Sequence, residues 1–333
     1  MALLLIFLFF TPLIITSYEH CQTPNQQPGK CVIINQCPHL FSVVLQNATG
    51  EESKKLIQKS HCGFESLLFP KVCCPLEAIE LLEESGAISQ NKHSTKCGLH
   101  VPDGPSDPWL ALLEYEHGDG RREFLCGGVL INKRYVLTAA HCITQKPKLG
   151  TVHLGEYRST SGLQLVIPVD GTIVHPEYKP NDPHQYHDIA LVRLKQKVNF
   201  KDGIVRPICV PMDSRKVFIG KTLQLAGWDT VGNFTKKRDG IATVWNNSEC
   251  HLIYNTTQVN LKDSQMCAGG KKLPYRDQHH IDFGGILMHV AKDTSYSVQG
   301  IRSIVPPCCE KDYPKVYTKV ASYFTWIMDN LKP

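Results

Sequence analysis

The sequence predicts a mainly β protein, in which a small disulfide-rich domain precedes a larger β domain with one C-terminal helix. Six of the 14 cysteines fall between residues 21 and 74. After residue 97, short apolar runs alternate with Gly, Pro and Asn turns, which is typical of an all-β sandwich or barrel. With 333 residues, 42% of them hydrophobic, the chain is long enough to form more than one core.

The first element is an apolar, uncharged N-terminus, Met1–Thr16, which contains Pro12. It is short for a membrane span, and the small polar residues near Ser17 are typical of a cleavage site. We therefore predict a secretory signal peptide over residues 1–17, although the usual basic start is missing. The alternative is a signal anchor. No later segment of the sequence is apolar enough to cross a bilayer, so an extracellular protein without a membrane partner is expected.

Cysteine usage and charge narrow the function classes. An even number of cysteines in an exported chain favours disulfides over metal ligands. The sequence lacks a Cys-x-x-Cys pair, so no metal or other cofactor is expected. A net charge of +5, with the basic residues scattered, gives no indication of a nucleic acid partner. Four Asn-x-Ser/Thr sequences are candidate glycosylation sites: Asn47, Asn233, Asn246 and Asn255.

The small domain is predicted to span residues 18–75. A domain of this size is not stable through apolar burial alone, so its cysteines are expected to be bridged. Cys73 and Cys74 are adjacent, and a bond between them would be strained, so each is expected to have a distant partner. Fifteen pairings of six cysteines remain open. A polar linker, residues 76–96, follows, and its first part, Glu77–Glu84, has the composition of a short helix.

The large domain is predicted to span residues 97–333. Its last apolar segment, Val320–Met328, has the spacing of one amphipathic helix. Six apolar runs are the clearest strand candidates: Trp109–Tyr115, Gly128–Leu137, Leu163–Val169, Ile189–Leu194, Thr222–Ala226 and Tyr296–Ile304.

Two short motifs in this domain contain residues suited to nucleophilic hydrolysis. That chemistry needs a base beside the nucleophile and a carboxylate that holds the base. Thr138–Cys142, with the sequence Thr-Ala-Ala-His-Cys, offers His141 as the base. His187–Leu191, with the sequence His-Asp-Ile-Ala-Leu, offers Asp188 as the carboxylate.

These motifs, together with Ala226–Trp228 and Pro314–Val320, resemble the landmarks of chymotrypsin-like serine proteases. The cysteines of residues 21–74 resemble the clip domain of arthropod proteases, and the two resemblances cover essentially the whole mature chain. They imply a clip domain followed by a double β-barrel. They also imply six disulfides: Cys21–Cys73, Cys31–Cys62, Cys37–Cys74, Cys97–Cys209, Cys126–Cys142 and Cys250–Cys267.

The chain departs from the resemblance at the nucleophile. Phe283 stands where these proteases keep their serine, and its side chain has no nucleophilic atom. The backbone N–H groups at Ile281 and Phe283 occupy the oxyanion-hole positions, but an oxyanion hole does not replace a nucleophile. His141 and Asp188 are therefore expected to be a vestigial part of a triad.

The activation site and the substrate pocket also depart from the family pattern. The chain has neither Lys nor Arg between Lys96 and Arg121, and no Ile/Val-rich start, so Asp282 lacks its expected cationic partner. Asp277 matches an acidic pocket floor, whereas Val305 and Lys315 stand where the family has glycines. We expect a locked, zymogen-like domain in which Lys315 fills the pocket and pairs with Asp277. The alternative is that Lys315 points to solvent.

Four further residues, His279, His280, Cys308 and Cys309, have other open interpretations. Cys308 matches a family cysteine whose partner position holds His279, and Cys309 is an extra neighbour, so the pair is free, vicinally bridged or used between chains. Asp277, His279 and His280 form a small ligand-like group, for which solvated surface is the simpler interpretation.

The resemblance implies a protease homologue secreted into the haemolymph, and the missing nucleophile at Phe283 predicts that it is non-catalytic. Its partners would be other clip-domain proteases or their protein substrates, in an arthropod immune cascade of the melanisation or Toll type. The alternatives are an active trypsin-like serine endopeptidase of the clip-domain family, and a decaying gene product without a selected role.

Overall fold

The structure is a computed structural model of the chain. It describes residues 20–34, 37, 40, 51–66, 69–79, 97–100, 106–155, 164–200, 204–231, 234–254, 259–269, 285–292, 294–304 and 314–332. The chain divides into two compact units, Met1–Leu76 and Glu77–Pro333. The predicted signal peptide and most of the predicted linker lie outside the described residues, although residues 76–79 are helical.

The N-terminal unit contains an antiparallel sheet of four strands in the order β1-β2-β4-β3. Its elements are β1 (His20–Gln22), β2 (Pro28–Ile33), helix α1 (Glu51–Ser60), β3 (His61–Ser66) and β4 (Phe69–Pro75).

Three disulfides hold this sheet together. Because successive side chains of a strand point to opposite faces, the adjacent residues Cys73 and Cys74 of β4 reach different partners. The bonds are Cys21–Cys73, Cys31–Cys62 and Cys37–Cys74, which are the three pairings that the resemblance implies for this domain.

The first half of the large unit is a closed barrel with the strand order β10-β7-β6-β5-β8-β9. Its elements are β5 (Leu110–Glu116), β6 (Arg122–Leu130), β7 (Tyr135–Thr138), helix α2 (His141–Thr144), β8 (Lys148–Gly155), β9 (Gln164–Val174) and β10 (Ala190–Leu194).

The second half is another closed barrel, with the strand order β11-β12-β13-β16-β15-β14. Its elements are β11 (Thr222–Val231), β12 (Phe234–Trp245), helix α3 (Asn247–Tyr254), β13 (Gln265–Ala268), β14 (Ile286–Val290), β15 (Tyr296–Ile304) and β16 (Lys315–Lys319). The predicted double-barrel fold is therefore confirmed.

One predicted strand is in fact a hairpin. The apolar run Gly128–Leu137 contains the end of β6 and the first three residues of β7. Between them, the Asn132 side chain accepts hydrogen bonds from the backbone N–H groups of Arg134 and Tyr135, both at 2.8 Å. An asparagine that bonds the backbone two and three residues ahead stabilises a turn. The apolar residues on both sides of Asn132 hid this turn in the sequence.

The two barrels share a hydrophobic core. Its members come from both barrels and include Trp109, Leu137, Trp228, Ile286 and Val298. The Trp109 indole N–H donates to the sulfur of Met288 at 3.1 Å, and the Trp228 indole N–H donates to the Ala111 carbonyl at 3.2 Å. These two contacts satisfy buried indole groups and fix one barrel against the other.

The C-terminal helix is shorter than the predicted Val320–Met328. Residues Val320–Tyr323 form a 3₁₀ turn, and helix α4 begins at Phe324 and ends at Asn330. Tyr323, with φ −113° and ψ 12°, lies outside helical geometry and separates the two segments. The apolar face was correctly predicted, because Phe324, Ile327 and Met328 are buried. In the described part of the chain, no helix has the length and apolarity needed to cross a bilayer.

Candidate active site

His141 is the first residue of α2, and two residues separate it from strand β7 of the first barrel. The Cys126–Cys142 disulfide ties α2 to β6. The buried Tyr115 hydroxyl donates to the Cys142 carbonyl at 2.9 Å, which satisfies a backbone group that the short helix leaves open. These contacts place the His141 side chain, which is 4% exposed, at the edge of the shared core.

Asp188 is positioned by a tight turn before β10. Gln185 and His187 have φ values of 47° and 60°, in the left-handed region that few residues other than glycine adopt. The Ile189 N–H donates to the His187 carbonyl at 2.8 Å and closes the turn. This geometry directs the Asp188 carboxylate inward, where it is fully buried.

The two residues form the predicted pair. His141 Nδ1 lies 2.7 Å from Asp188 Oδ2, and the His141 backbone N–H donates to Asp188 Oδ1 at 2.9 Å. Because a carboxylate only accepts hydrogen bonds, His141 Nδ1 carries the proton and the lone pair of the neutral ring is on Nε2. The dyad therefore holds the imidazole in the tautomer that a general base needs.

Two hydroxyl groups of the second barrel complete the setting of Asp188. Ser303 of β15 donates to Asp188 Oδ2 at 2.5 Å, and Thr318 of β16 donates to the Asp188 backbone carbonyl at 2.8 Å. The contact of Thr318 with Asp188 was not predicted from the sequence. The sequence feature that includes Thr318 is the Pro314–Val320 motif, which contributed to the family resemblance but did not indicate this contact.

Most of the residues predicted to surround the nucleophile lie outside the described residues. These are Asp277, His279, His280, Ile281, Asp282, Phe283, Val305, Cys308 and Cys309. Lys315 is described: it begins β16 opposite Ala268 of β13 and is partly exposed. Its pairing with Asp277 stays a prediction.

Arg302 is a buried cation that the sequence interpretation missed, since it lies within an otherwise apolar run. It is 4% exposed, and its backbone N–H donates to the Gly285 carbonyl at 2.8 Å. Tyr317 lies opposite Arg302 across the β15–β16 pairing. Burial raises the pKa of Tyr317 to about 12, and the Arg302 charge acts against this rise. Burial also raises the pKa of Tyr254, and the Arg302 charge again acts against the rise. A guanidinium therefore lies in the second barrel, next to Ser303 in the chain.

The remaining predicted site residues are distributed as follows. The large unit contains the three disulfides Cys97–Cys209, Cys126–Cys142 and Cys250–Cys267, which are those implied by the resemblance. Because both cysteines beside His141 are bonded to each other, they are not free metal ligands.

Asn246 is exposed just before α3, where a glycan has access to it. The other candidate glycosylation sites, Asn47, Asn233 and Asn255, lie outside the described residues.

Comparison with known proteins gives two family matches. The Trypsin family matches residues 97–327, and the regulatory CLIP domain of proteinases matches residues 21–74. Both matches lie within the domains predicted from the sequence.

Similar proteins align with this chain over nearly their whole length. Phenoloxidase-activating factor 1 of Holotrichia diomphalia is 30% identical, with 94% of this chain and 93% of that protein covered. The CLIP domain-containing serine protease HP8 of Bombyx mori is 33% identical, with 91% and 92% covered.

The crystal structure of the Drosophila Grass clip serine protease of the Toll pathway is similar with a TM-score of 0.61 and 26% identity. The match covers 94% of this chain and 97% of that one. The family matches, the double barrel and the His141–Asp188 pair lead to one conclusion: this chain belongs to the clip-domain serine proteases of the trypsin family.

Proposed function

We propose that this chain is a secreted, non-catalytic homologue of the clip-domain serine proteases, which regulates an extracellular immune cascade by binding. The observation that carries the proposal is Phe283 at the position of the nucleophilic serine. Loss of a triad serine alone lowers turnover on the order of a millionfold, which is roughly 8 kcal/mol of activation barrier. His141 then has no hydroxyl proton to accept from that position.

The buried dyad is compatible with a chain that has lost catalysis. Asp188 is fully buried and accepts hydrogen bonds from His141 and Ser303, so removal of either partner would leave a buried carboxylate undersatisfied. The dyad therefore has a structural value that is independent of turnover. Its retention together with Phe283 supports a binding role on a preserved scaffold.

Activation and substrate access supply two more arguments. The segment from Cys97 to Pro105 lacks the basic cleavage residue and the Ile/Val-rich start through which family zymogens are activated. With Val305 and Lys315 at glycine positions, these features favour a closed pocket.

The alternative is an active trypsin-like serine endopeptidase. The observation in its favour is the geometry of His141 and Asp188, which is that of a competent base and its orienting carboxylate. It requires another residue to supply the nucleophile that Phe283 lacks. Because activation and pocket also depart from the family, we favour the non-catalytic function.

The partners are proposed from the relatives. The relatives include a phenoloxidase-activating factor, a Spaetzle-processing enzyme and a melanization protease. These names associate the relatives with proteolysis in immune activation. A chain that keeps both domains of these proteins is suited to contact another clip-domain protease or its protein substrate. Secretion into the haemolymph follows from the predicted signal peptide and the six disulfides.

A reconstitution experiment tests this function. Insect haemolymph depleted of the chain by an antibody is challenged with microbial cell wall, and phenoloxidase activity is followed while purified chain is added back. We expect the rate to change with the concentration of the chain. Chain that was first treated with a serine-directed fluorophosphonate should act equally, whereas reduced and alkylated chain should not. A rate unchanged at every concentration would contradict the proposal, and loss of the effect after fluorophosphonate treatment would favour the active enzyme.

A further inference from the structure

Two histidines and a glutamate meet on the first barrel, beside the turn that carries Asp188. His175 directly follows β9, and His187 lies three residues before β10. Since β9 and β10 are antiparallel and Val174 lies opposite Ala190, these two histidines are brought to the same end of the strand pair. Glu177 completes a group that we call the His175 cluster: His175, Glu177 and His187.

The cluster has the dimensions of a metal site. One ligand atom from each residue lies within 4.8 Å of the other two. Glu177 Oε2 and His187 Nε2 are 3.5 Å apart. Two ligands of a tetrahedral zinc ion, each at about 2.0–2.1 Å, are separated by roughly 3.3 Å. The separation of these two atoms therefore fits a zinc ion between them. The third ligand needs the His175 ring to turn out of its stack with His187, which a partly exposed side chain can do.

The surroundings orient the two imidazoles. His187 Nδ1 lies 3.3 Å from the Tyr323 hydroxyl, so Nε2 is left for a metal. The rings of His175 and His187 are stacked, with centroids 4.9 Å apart, and His175 packs against Trp326 of α4 at 5.0 Å. A hydrogen-bonded partner on the second nitrogen is the usual feature of histidine ligands, because it fixes the ring and its tautomer.

His175 also has a lone pair to offer. Its Nδ1 accepts the Glu177 backbone N–H over 3.3 Å, which is a long hydrogen bond. Coordination through this nitrogen displaces only that weak contact, and the backbone N–H is exposed and can bond to water. The donor set of two imidazoles and one carboxylate leaves a fourth position for water, as in zinc sites that are not closed.

We propose that His175, Glu177 and His187 bind one Zn²⁺ ion, which joins the segment from β9 to β10 against the C-terminal helix. The absence of a Cys-x-x-Cys pair led us to expect no metal from the sequence. The two histidines are separated by a loop, and no short ligand motif links them. The site differs from the Asp277, His279 and His280 group. It depends on neither catalysis nor its loss, so its test is independent of the proposed function.

Zinc titration of the full-length, disulfide-intact chain tests the site. After treatment with a chelator, we expect one equivalent of Zn²⁺ to bind in a calorimeter. Because only the folded chain presents the cluster, Zn²⁺ at about a hundredfold excess over Kd should raise Tm by roughly 5–10 °C. Co²⁺ in place of Zn²⁺ should give the visible absorption of a tetrahedral site.

Variants decide whether the ion lies in the cluster. His175→Ala and Glu177→Gln should each weaken Zn²⁺ binding by roughly tenfold or more. Tyr323→Phe should weaken it about tenfold. The matched control is His117→Ala, which removes a histidine from a two-residue pair with Glu123 at 3.1 Å and should bind as the native chain does.

Two outcomes would overturn the proposal. One is the absence of any zinc heat or Tm shift in the native chain. The other is full zinc affinity in His175→Ala and Glu177→Gln, with loss of binding only in His279→Ala or in a chain with alkylated free thiols. That second result would place the metal elsewhere.

Discussion

The Ser303 hydroxyl donates to the Asp188 carboxylate at 2.5 Å, and this hydrogen bond connects the two barrels of the protease-like domain. Ser303 belongs to β15 of the second barrel, whereas Asp188 precedes β10 of the first. Asp188 is fully buried and also holds His141, so the same carboxylate organises the candidate site and the barrel interface.

Ser303→Ala should therefore destabilise the large domain. The substitution removes one donor from a buried carboxylate, and an undersatisfied charged group costs ~1–3 kcal/mol or more of unfolding free energy. Urea unfolding followed by tryptophan fluorescence measures the change.

Ser297→Ala is the matched control for this loss, because Ser297 lies on the same strand, is partly exposed and contacts only neutral groups. Its hydroxyl donates to the His289 carbonyl over a long 3.4 Å and accepts from the Gln299 side-chain amide at 2.7 Å. We expect its cost to stay under about 1 kcal/mol. Equal costs for the two variants would mean that the contact between Ser303 and Asp188 contributes nothing specific.

The native pocket should not bind an arginine mimic. p-Aminobenzamidine, whose fluorescence rises in trypsin-like pockets, should show no increase with the native chain. Val305→Gly combined with Lys315→Gly should create binding, because the side chains that replace the family glycines are then removed.

Asp277→Asn in the opened variant supplies the control for this gain. It removes the carboxylate that pairs with the amidinium, so binding should be lost again. Native chain that binds p-aminobenzamidine as readily as the opened variant would contradict the closed pocket.

His153 should make the domain sensitive to acid. Burial lowers its pKa below the ordinary value of 6.5, and the nearby Glu114 acts only partly against this effect. The unfolded chain therefore takes up a proton as pH falls below about 6.5, while folded His153 stays neutral until a lower pH. The stability that neutral His153 contributes is fully present above about pH 6.5 and is lost as pH falls from 6.5 toward the lower pKa of the folded state.

His153→Gln should make the fall of Tm between pH 7 and pH 5 shallower, because glutamine has no proton to take up. A glutamine amide can still bond to Glu114 and Gln164, the present neighbours of the ring. His117→Gln, which changes a more exposed histidine, should keep the native pH profile. An identical fall in both variants would rule out His153 as a source of the acid sensitivity.

Local motifs predicted the fold and the dyad well, and the reason is physical. The Thr138–Cys142 and His187–Leu191 segments each place one side chain at the end of a barrel strand, so short sequences are enough to locate His141 and Asp188. The six apolar runs likewise fell on strands of the two barrels, although one of them covers the hairpin of β6 and β7.

Features that depend on contacts between distant segments were missed. Arg302 was overlooked because its neighbours in β15 are mostly apolar, and because its place opposite Tyr317 follows from the pairing of β15 with β16. The His175 cluster was missed because only the pairing of β9 with β10 brings His187 to His175. The single helix predicted over Val320–Met328 was too long, since apolar spacing does not distinguish a 3₁₀ turn from an α-helix.

The central claim, that the chain has no catalytic nucleophile at Phe283, is tested most directly by covalent active-site labelling. The secreted protein is incubated with a fluorophosphonate before and after limited cleavage of the segment around Cys97, and its intact mass is measured beside an active trypsin. The account predicts an unchanged mass for this chain and complete labelling of trypsin. One equivalent of phosphonate on this chain, blocked by replacement of His141, would contradict it.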